Sequence, residues 1–403
     1  MRLRHCSGRI VHLSSGLNVG PARNLAAVVE QLDVYAAAIR ARLGIDTLGV
    51  SLWLPPDLAA VLAVDARART RLRAELDARA LEVVTLSGVP YAEDGGENST
   101  DGNPYAPDWS EPARLEYTLD LARILVDLLP EDAVRGAVTT LGLGRRAGWD
   151  TAKERACSRI LRRLSAGLAE VAWQTGRAVR VGFQPEPGFV LDATDPTVTA
   201  LAKVDRDRIG VCLDLADLAC TWEDPARALE RLAQAGIPVI RAQVAAAVEV
   251  ASPAAAAEVL RTYVHPGRRH PVTNPAGAYL DDLSEALTSL PGEAKLGAPA
   301  NEPGGGGGTA PPGPWRVRYH VPLHIAPAAP LAATTDVWRS ALRHLMGGAA
   351  AGTEHLDVGT SSWEMQLPGD APARADVVAG ELAYTRNELE RLGLSPPAQA
   401  CAA

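Results

Sequence analysis

The amino-acid sequence predicts an α/β protein, a (β/α)8 TIM barrel, from three observations. Short runs of β-forming residues alternate with longer runs rich in Ala, Leu and Arg at helical spacing, as in repeated βα units around a parallel sheet. The runs 179–183 and 209–213 are largely apolar without clean alternation, as in strands that are buried on both faces. A chain of 403 residues is long enough for one such barrel with insertions.

Nine runs of the sequence are candidates for the eight barrel strands. They are residues 9–15, 47–54, 81–88, 135–141, 178–186, 208–214, 239–245, 315–324 and 355–361. We expect the run 315–324 to lie outside the barrel, because Arg316 and Arg318 alternate in a way that suits an exposed face. The alternative is that both arginines line the open end of the barrel and bind an anionic group of a substrate.

Helices are predicted between these strands. Several of them begin with Pro, Asp or Thr, which are common at helix starts. They are residues 21–43, 56–79, 111–129, 150–176, 195–202, 225–235, 334–345 and 373–392. One helix follows almost every strand, as the βα repeat requires.

We expect a single domain, residues 1–403, with one insertion at 252–314 where the βα rhythm stops. The glycine run 304–308 is flanked by prolines and can bury almost no apolar surface, so residues 302–314 are predicted to be disordered. A second irregular stretch, 90–110, follows a predicted strand. Because βα loops carry function in this architecture, we interpret it as a binding lid, with a plain solvated loop as the alternative.

The composition argues against several classes of protein. A formal net charge of −8 with scattered basic residues argues against a nucleic-acid or anionic-membrane partner. Five cysteines without a CxxC pair indicate neither a zinc ribbon nor a disulfide framework, and they fit a reducing compartment. No run reaches about 18 uninterrupted apolar residues, and no apolar signal segment follows the start. We therefore expect a cytoplasmic protein that is neither exported nor membrane-spanning.

Two carboxylates stand at the ends of neighbouring predicted strands. Glu186 lies between Pro185 and Pro187, which places it at the open end of the barrel on a stiff backbone. Asp214 ends the next strand at the same height. Two neighbouring strand-end carboxylates are a reasonable starting point for a divalent cation site.

Three further polar residues follow, and each has a plainer explanation as well. Asp217 is close enough to Asp214 to serve the same site, or it caps the following segment. Gln243 ends the next strand and offers a carbonyl ligand or a substrate hydrogen bond, or it is a satisfied structural amide. His320 is polar where a buried strand should be apolar, so it faces the cavity or is structural.

Other chemistries find little support. The sequence contains no GxSxG elbow, Walker A motif or HExxH motif. Residues 142–147 follow a strand and fit the loose GxGxxA form of the dinucleotide fingerprint, but they lie in the middle of the chain. We favour a plain barrel loop for this segment.

A series of short motifs runs through most of the chain in a fairly specific order and spacing. The motifs are Asn18 with Pro21, residues 88–91, 105–109, 112–118, 185–187, 210–214 and 223–225, Gln243, His265, residues 319–322, and residues 355–358 leading to Trp363. In these motifs the sequence resembles the metabolite traffic protein EboE family, within the xylose-isomerase-like TIM-barrel superfamily. From them we expect Asn18, Tyr91, His265 and His320 to bind the substrate.

The resemblance implies a divalent metal ion, Mn, Mg, Zn or Fe, at the strand ends. Superfamily enzymes hold it with Glu, Asp, His or Gln, and a final Glu, and they move a proton between carbons of a sugar. Glu186, Asp214 and Gln243 match the first three ligands, and Glu186 is also the expected catalytic acid or base. Asp217 is the expected additional ligand.

Three positions depart from the superfamily pattern. Asp217 stands where the pattern has a His, Gly359 stands where the last strand should carry Glu, and Gly20 stands where a His is expected after Asn18. Losing the final carboxylate removes a ligand and the second acid or base, and proton shuttling needs both groups. A rearranged metal site would need Asp217 or Glu364.

Three functional hypotheses follow. The first is that of the EboE resemblance: processing or trafficking of a small metabolite, prenylated or otherwise lipophilic, with a degenerate metal site of the sugar-isomerase type. The second is an active metal-dependent sugar isomerase or epimerase, against which Gly359 counts. The third is a catalytically inactive barrel that docks to a protein partner in the same pathway, which exposed apolar surface around 252–314 would favour.

Overall fold

The computed structural model describes residues 1–17, 22–89, 91, 105–265, 269–290, 311–359 and 371–397, and their strands form two sheets. In chain order the strands are β1 (Arg2–Arg4), β2 (Ile10–Leu17), β3 (Leu48–Trp53), β4 (Leu81–Ser87), β5 (Arg135–Leu141), β6 (Ala178–Gln184), β7 (Ile209–Asp214), β8 (Val239–Val244), β9 (Ala246–Val250), β10 (Val272–Thr273), β11 (Tyr279–Leu280), β12 (Trp315–Val321), β13 (Ala332–Ala333) and β14 (His355–Val358). The parallel strands β2 to β8 and β14 pair in sequence, and β14 also pairs with β2. These eight strands close a barrel, so the predicted (β/α)8 TIM barrel is confirmed.

Helices follow the barrel strands, and two short ones lie between strands outside the barrel. They are α1 (Leu25–Gln31), a π-helical stretch (Leu32–Ala36), α2 (Ala37–Leu43), α3 (Pro56–Val64), α4 (Ala66–Ala78), α5 (Pro112–Leu128), α6 (Thr151–Thr175), α7 (Thr194–Ala200), α8 (Leu215–Cys220), α9 (Pro225–Gln234), α10 (Ala257–Arg261), α11 (Leu283–Thr288), α12 (Thr335–Met346) and α13 (Ala371–Arg391). The single helix predicted at 56–79 is two helices, because Asp65 is extended and its carboxylate caps α4 at the N–H groups of Arg67 and Ala68.

The barrel strands are buried on both faces, as their apolar composition predicted. Every residue of β3 and of β7 is buried. Helices cover the outer face of such strands, and the packed interior of the barrel covers the inner face. We call the rim at the C-terminal ends of the strands the mouth, and the rim at their N-terminal ends the floor.

A second, five-stranded antiparallel sheet has the order β11, β10, β12, β9, β13. A single residue, Ala245, separates its strand β9 from the end of β8. The candidate run 315–324 supplies β12, so the prediction that this run lies outside the barrel is confirmed. Burial alternates along β12: Val317 and Tyr319 are buried, whereas Arg316 and Arg318 are partly exposed on the opposite face.

The short helix α8 follows β7 directly and was not predicted. It is six residues long, and Asp214 is its N-cap. The strand β12 packs against α8. Because α8 stands at the C-terminal end of a barrel strand, this contact brings the polar face of β12 to the mouth.

Several other predictions concern segments that are described only in part. Residues 302–310 of the segment expected to be disordered lie outside the described residues, and so does most of the expected lid at 90–110. Residues 311–314 are described, and Pro311 accepts a hydrogen bond from the indole of Trp315 at 2.6 Å. None of the helices in the described ranges is both long and apolar enough to cross a lipid bilayer.

Candidate functional site

Glu186 lies at the mouth, two residues after β6, with a proline on either side. Its side chain is buried, and burial raises the pKa of Glu186 against the lowering effect of the Arg318 and Arg145 cations. The Tyr105 hydroxyl donates a hydrogen bond to the carboxylate. A buried carboxyl group with a raised pKa at the mouth of a barrel is suited to proton transfer.

Asp214 ends β7 and caps the next helix. Its Oδ1 accepts hydrogen bonds from the backbone N–H of Ala216 at 2.8 Å and of Asp217 at 3.3 Å. Its Oδ2 accepts a hydrogen bond from Nε2 of Gln243 at 2.8 Å. Both carboxylate oxygens are therefore engaged, one by the backbone and one by the neighbouring strand.

Asp217 lies in the first turn of α8 and is not its cap, because Asp214 takes that position. The side chain of Asp217 is fully buried, and both of its oxygens accept hydrogen bonds from the guanidinium of Arg318. Oδ2 also accepts from Nε2 of Gln184 at 2.8 Å. Burial raises the pKa of Asp217 well above its ordinary value, against the lowering effect of Arg318.

Gln243 is the penultimate residue of β8, and its amide is fixed in one orientation. Its Nε2 donates to Asp214 and to the backbone oxygen of Gly359 at 3.1 Å, while its Oε1 accepts from Nη2 of Arg241 at 3.2 Å. A flipped amide would place oxygen against two acceptors and nitrogen against a donor. Both polar atoms of the Gln243 amide thus have partners within the protein.

Arg318 reaches the mouth from β12, which lies outside the barrel. Besides its contact with Asp217, its Nε lies 4.0 Å from Oε1 of Glu186. Burial acts to lower the pKa of Arg318, but the carboxylates of Asp217 and Glu186 raise it well above its ordinary value. Arg318 is therefore a permanent cation among the strand-end carboxylates.

The residues predicted to hold a divalent metal ion do not fit one as they are arranged. The predicted ligands are Glu186, Asp214, Asp217 and Gln243. The amide oxygen of Gln243 points at Arg241, and both oxygens of Asp217 face Arg318. Over the described ranges, no group of three or more His, Cys, Asp and Glu side chains is arranged to hold a metal ion.

Steric crowding at Gly359 excludes the glutamate side chain that the superfamily pattern has at this position. A Cβ atom at Gly359 would lie 2.8 Å from Cα and 3.0 Å from N of Gly16 on the neighbouring strand. The end of β14 therefore has no room for glutamate without a backbone shift. Gly20 and Glu364, the other positions considered for a rearranged site, lie outside the described residues.

Tyr91, predicted to bind substrate, contacts a buried arginine instead of the carboxylates. The guanidinium of Arg114 lies 4.8 Å from the centre of the Tyr91 ring. Arg114 has no exposed surface, and it donates to the backbone oxygens of Gly88, Tyr105 and Pro107. By holding this backbone, Arg114 positions Tyr105 beside Glu186. Sequence reasoning missed Arg114 and Tyr105 as site residues, although both lie in the motifs of residues 105–118.

The other residues predicted to bind substrate are not brought to Glu186. His265 lies on the opposite face of the second sheet, where its Nε2 is 3.4 Å from the hydroxyl of Tyr319. His320 shares the Arg318 face of β12, but its Nε2 is 3.3 Å from the buried carboxylate of Glu381 on α13. Asn18 lies outside the described residues.

A second charged pair lies inside the barrel and was not predicted. Nε of Arg241 is 2.7 Å from Oδ2 of Asp357 on the adjacent strand β14. The hydroxyl of Thr85 donates to Asp357 at 3.0 Å, and Nη1 of Arg241 donates to the hydroxyl of Thr139 at 2.6 Å. The sequence feature that could have predicted this pair was a charged residue within each of two mostly apolar strands.

The GxGxxA segment at 142–147 is a loop between β5 and α6 that contacts the second sheet. Arg145 contacts Asp281, and its Nη1 lies 3.3 Å from the hydroxyl of Tyr279 on β11. A Cβ atom at Gly142 would lie 2.6 Å from the backbone oxygen of Gln184. Gly142 therefore serves close packing of two barrel strands, which supports the plain-loop interpretation.

Several solved structures resemble this chain. A D-tagatose 3-epimerase-like protein is 10% identical, with 95% of this chain and 98% of that chain covered and a TM-score of 0.50. A candidate sugar phosphate isomerase/epimerase from Anabaena variabilis ATCC 29413 is 14% identical, with 95% and 99% covered and a TM-score of 0.50. A barrel protein from Mycobacterium smegmatis, solved in complex with magnesium, is 12% identical, with 94% and 98% covered and a TM-score of 0.48.

At these identities the structural likeness shows the fold alone. No curated protein matches the sequence. The model of the xylose isomerase-like TIM barrel family matches residues 37–271, which is more than half of the chain. The chain therefore belongs to the xylose isomerase-like TIM barrel family.

Proposed function

We propose that this barrel binds a small metabolite at its mouth and processes it by proton transfer at Glu186, in the processing or trafficking role that the EboE resemblance implies. The observation that supports this most is the environment of Glu186. Its carboxyl group is buried with a raised pKa, accepts a hydrogen bond from Tyr105 and lies 4.0 Å from the Arg318 cation. An acid or base next to a fixed positive charge suits proton transfer at a carbon beside a carbonyl group.

The chemistry needs only residues of this chain. The Glu186 carboxylate removes a proton from the carbon next to a substrate carbonyl. The electron pair of the C–H bond forms a C=C bond, and the π pair of the carbonyl moves to its oxygen. The guanidinium of Arg318 stabilises the resulting oxyanion. Return of the proton to the same carbon regenerates the substrate, whereas in an α-hydroxy carbonyl substrate the hydroxyl proton passes to the oxyanion and Glu186 protonates the former carbonyl carbon, which completes an isomerisation. Two barrels of similar fold are named as epimerase-like or as candidate isomerase/epimerase, which supports a carbonyl-bearing substrate.

A metal-dependent sugar isomerase or epimerase is the second candidate. The gathering of Glu186, Asp214 and Asp217 at one side of the mouth favours it. Both carboxylate oxygens of Asp217 now accept hydrogen bonds from Arg318. A metal-dependent reaction would require Arg318 to move away from Asp217.

An inactive interaction module has less support. The large hydrophobic side chains that are exposed in the described part of the chain are Val34, Val61, Val64, Val134, Trp173 and Ile325. None of them lies in the described part of the insertion at 252–314. The surface that would favour docking of a protein partner there is therefore missing from the residues that the structure describes.

Solvent isotope exchange tests the proposed proton transfer. The protein is incubated in D2O with a panel of ketoses, aldoses and hydroxyketones, and NMR follows deuterium entering the carbon next to the carbonyl. We expect catalysed exchange with at least one member of the panel. Glu186→Gln should slow it by about 100-fold or more, the usual contribution of a general base.

Glu249→Gln is the matched control, because Glu249 pairs with Arg316 on the neighbouring strand and does not contact Glu186. It should exchange at the wild-type rate. Equal exchange by wild type and Glu186→Gln would remove Glu186 from the chemistry. If a compound raises the melting temperature without any exchange, the protein carries its ligand and does not process it.

A further inference from the structure

The carboxylates of the mouth are neutralised by a cation that belongs to the chain. We propose that Arg318 takes the place of the divalent metal ion of sugar-isomerase-type barrels, so that this site works without metal. The inference rests on the proposed function only for the location of the site. It follows from the disagreement between the expected ligand set and the contacts that the structure shows.

Arg318 faces carboxylate oxygens that a divalent metal ion would need as ligands. The Asp217 carboxylate is fully buried, and its two oxygens accept from Nε and Nη2 of Arg318. The nearest oxygen of Glu186 is 4.0 Å from the same Nε. A guanidinium with two parallel hydrogen bonds to a carboxylate is one of the stronger ion pairs in proteins.

The remaining expected ligands are turned to other partners. Asp214 caps α8 with one oxygen and accepts from Gln243 with the other. Gln243 directs its oxygen to Arg241 and its nitrogen to two acceptors, so a single rotation cannot offer the oxygen to a metal without losing these bonds. The final carboxylate of the family pattern is replaced by Gly359, where glutamate has no room.

The strand that carries Arg318 is fixed on both sides. The backbone N–H of Arg318 donates to Pro271 at 2.9 Å, and its backbone oxygen is 3.2 Å from Nδ1 of the buried His270. Two residues earlier, Arg316 pairs with Glu249 at 2.7 Å and stacks on Trp222 at 3.9 Å. The two backbone contacts of Arg318, with Pro271 and His270, hold the cation at the mouth before any substrate binds.

The position of the guanidinium also indicates the class of ligand. The side chain of Arg318 is 22% exposed, so part of it faces the solvent of the mouth while Nε and Nη2 face Asp217. A carbonyl or carboxylate oxygen of a small metabolite can accept a hydrogen bond there. The inferred substrate therefore carries such an oxygen within reach of Glu186.

Metal content tests the inference without requiring the substrate. Wild type, Arg318→Met and Arg316→Met are incubated with Mn²⁺ or Co²⁺, freed of unbound ion and assayed by elemental analysis. Cobalt absorption reports on the coordination. We expect wild type and Arg316→Met to retain far less than one ion per chain. Arg318→Met frees the carboxylates of Asp217 and Glu186, so it should retain measurably more ion than wild type, although less than one ion per chain, and it should gain thermal stability when Mn²⁺ is added.

Adding Asp217→Asn to Arg318→Met should abolish the gained metal, and Arg318→Gln replaces Arg318→Met if the latter does not fold. Near-stoichiometric metal in wild type that is lost on Asp217→Asn would overturn the inference. So would a folded Arg318→Met or Arg318→Gln that retains no more metal than wild type. The assay reads the occupancy of the site and not proton transfer, so its failure is distinguishable from failure of the isotope-exchange test.

Discussion

The inside of the barrel and its mouth each contain a buried arginine–carboxylate pair, and the two pairs differ in the origin of the arginine. Arg241 and Asp357 come from adjacent strands of the barrel, and their side chains are 6% and 1% exposed. Arg318 comes from the second sheet, meets Asp217 at the mouth and remains 22% exposed. Further buried carboxylates, Glu186 among them, surround the outer pair.

This difference separates charges that support the fold from charges that are available for chemistry. The inner pair joins neighbouring strands, and the hydroxyls of Thr85 and Thr139 complete its hydrogen bonds. At the mouth the carboxylates outnumber the arginine that contacts them, and the surplus negative charge costs stability. We therefore expect substitutions inside the barrel to lower stability and a neutral substitution at the mouth to raise it.

The largest effect is expected for Arg241→Met. This change leaves Asp357 buried in the barrel without its cation and removes the donor to Gln243. The free energy of unfolding should fall by about 3–5 kcal/mol, as when one partner of a buried ion pair is removed. Urea unfolding followed by circular dichroism measures it. The double variant Arg241→Met/Asp357→Leu should recover most of the loss, and a single variant as stable as wild type would contradict a structural role for the pair.

The second effect is a loss of stability in acid that arises at the floor. His12, the third residue of β2, pairs in register with His355, the first residue of β14, and their ring centres are 5.9 Å apart. Burial lowers the pKa of His12 from 6.5 to about 4 and that of His355 well below its ordinary value. The unfolded chain therefore binds protons first as the pH falls below 6.5, and for His12 alone the loss of stability approaches about 3 kcal/mol by pH 4.

Unfolding measured from pH 7 to pH 4 checks this effect. The variant His12→Gln/His355→Gln should lose less stability on acidification than wild type, whereas His344→Gln, at an exposed position, should follow wild type. The stability profiles of wild type and variants must be compared with each other, because protonation of Glu186 and Asp217 changes the stability in the opposite direction. Their raised pKa values let the native state bind protons first, which favours folding as the pH falls. Parallel profiles for wild type and the double variant would exclude the histidines as the cause.

The smallest effect is a gain of stability at the mouth. Burial raises the pKa of Glu186, so its ionised form opposes folding at pH values above that pKa. Glu186→Gln should raise the free energy of unfolding by about 1 kcal/mol at pH 8, the usual gain when a functional residue is replaced by a neutral one. The gain should shrink as the pH falls and Glu186 takes up its proton. Glu249→Gln, in a partly exposed pair, should show no such gain, and a destabilised Glu186→Gln would place Glu186 with the structural charges.

The fold could be predicted from the sequence because the alternation of apolar strands and helices is local. The helix α8 could not, since the six residues after Asp214, apolar except for Asp217, look like a continuation of β7, and the cap hydrogen bonds appear only in three dimensions. The helix break at Asp65 was missed because the residues on both sides favour helix.

Only the part of the candidate site that the barrel strands supply could be predicted from the sequence. Glu186, Asp214 and Gln243 lie at or just after the ends of neighbouring strands, so their common height at the mouth is implied by the βα repeat. Alternation along β12 indicates that Arg316 and Arg318 share a face, but it does not say which element that face meets. The partnership of Arg318 with Asp217 depends on how the second sheet packs on α8, and no local pattern encodes it.

The segment that identifies the family ends at residue 271, and Arg318 comes after it. The charge of Arg318 is thus carried on a module outside the barrel, the second sheet, which leaves the barrel after β8 and returns before α12. A chimera in which a plain barrel receives this module would inherit the cation together with its own anchoring contacts. Conversely, a chain without this module would carry the Asp217 and Glu186 carboxylates at the rim without the Arg318 cation.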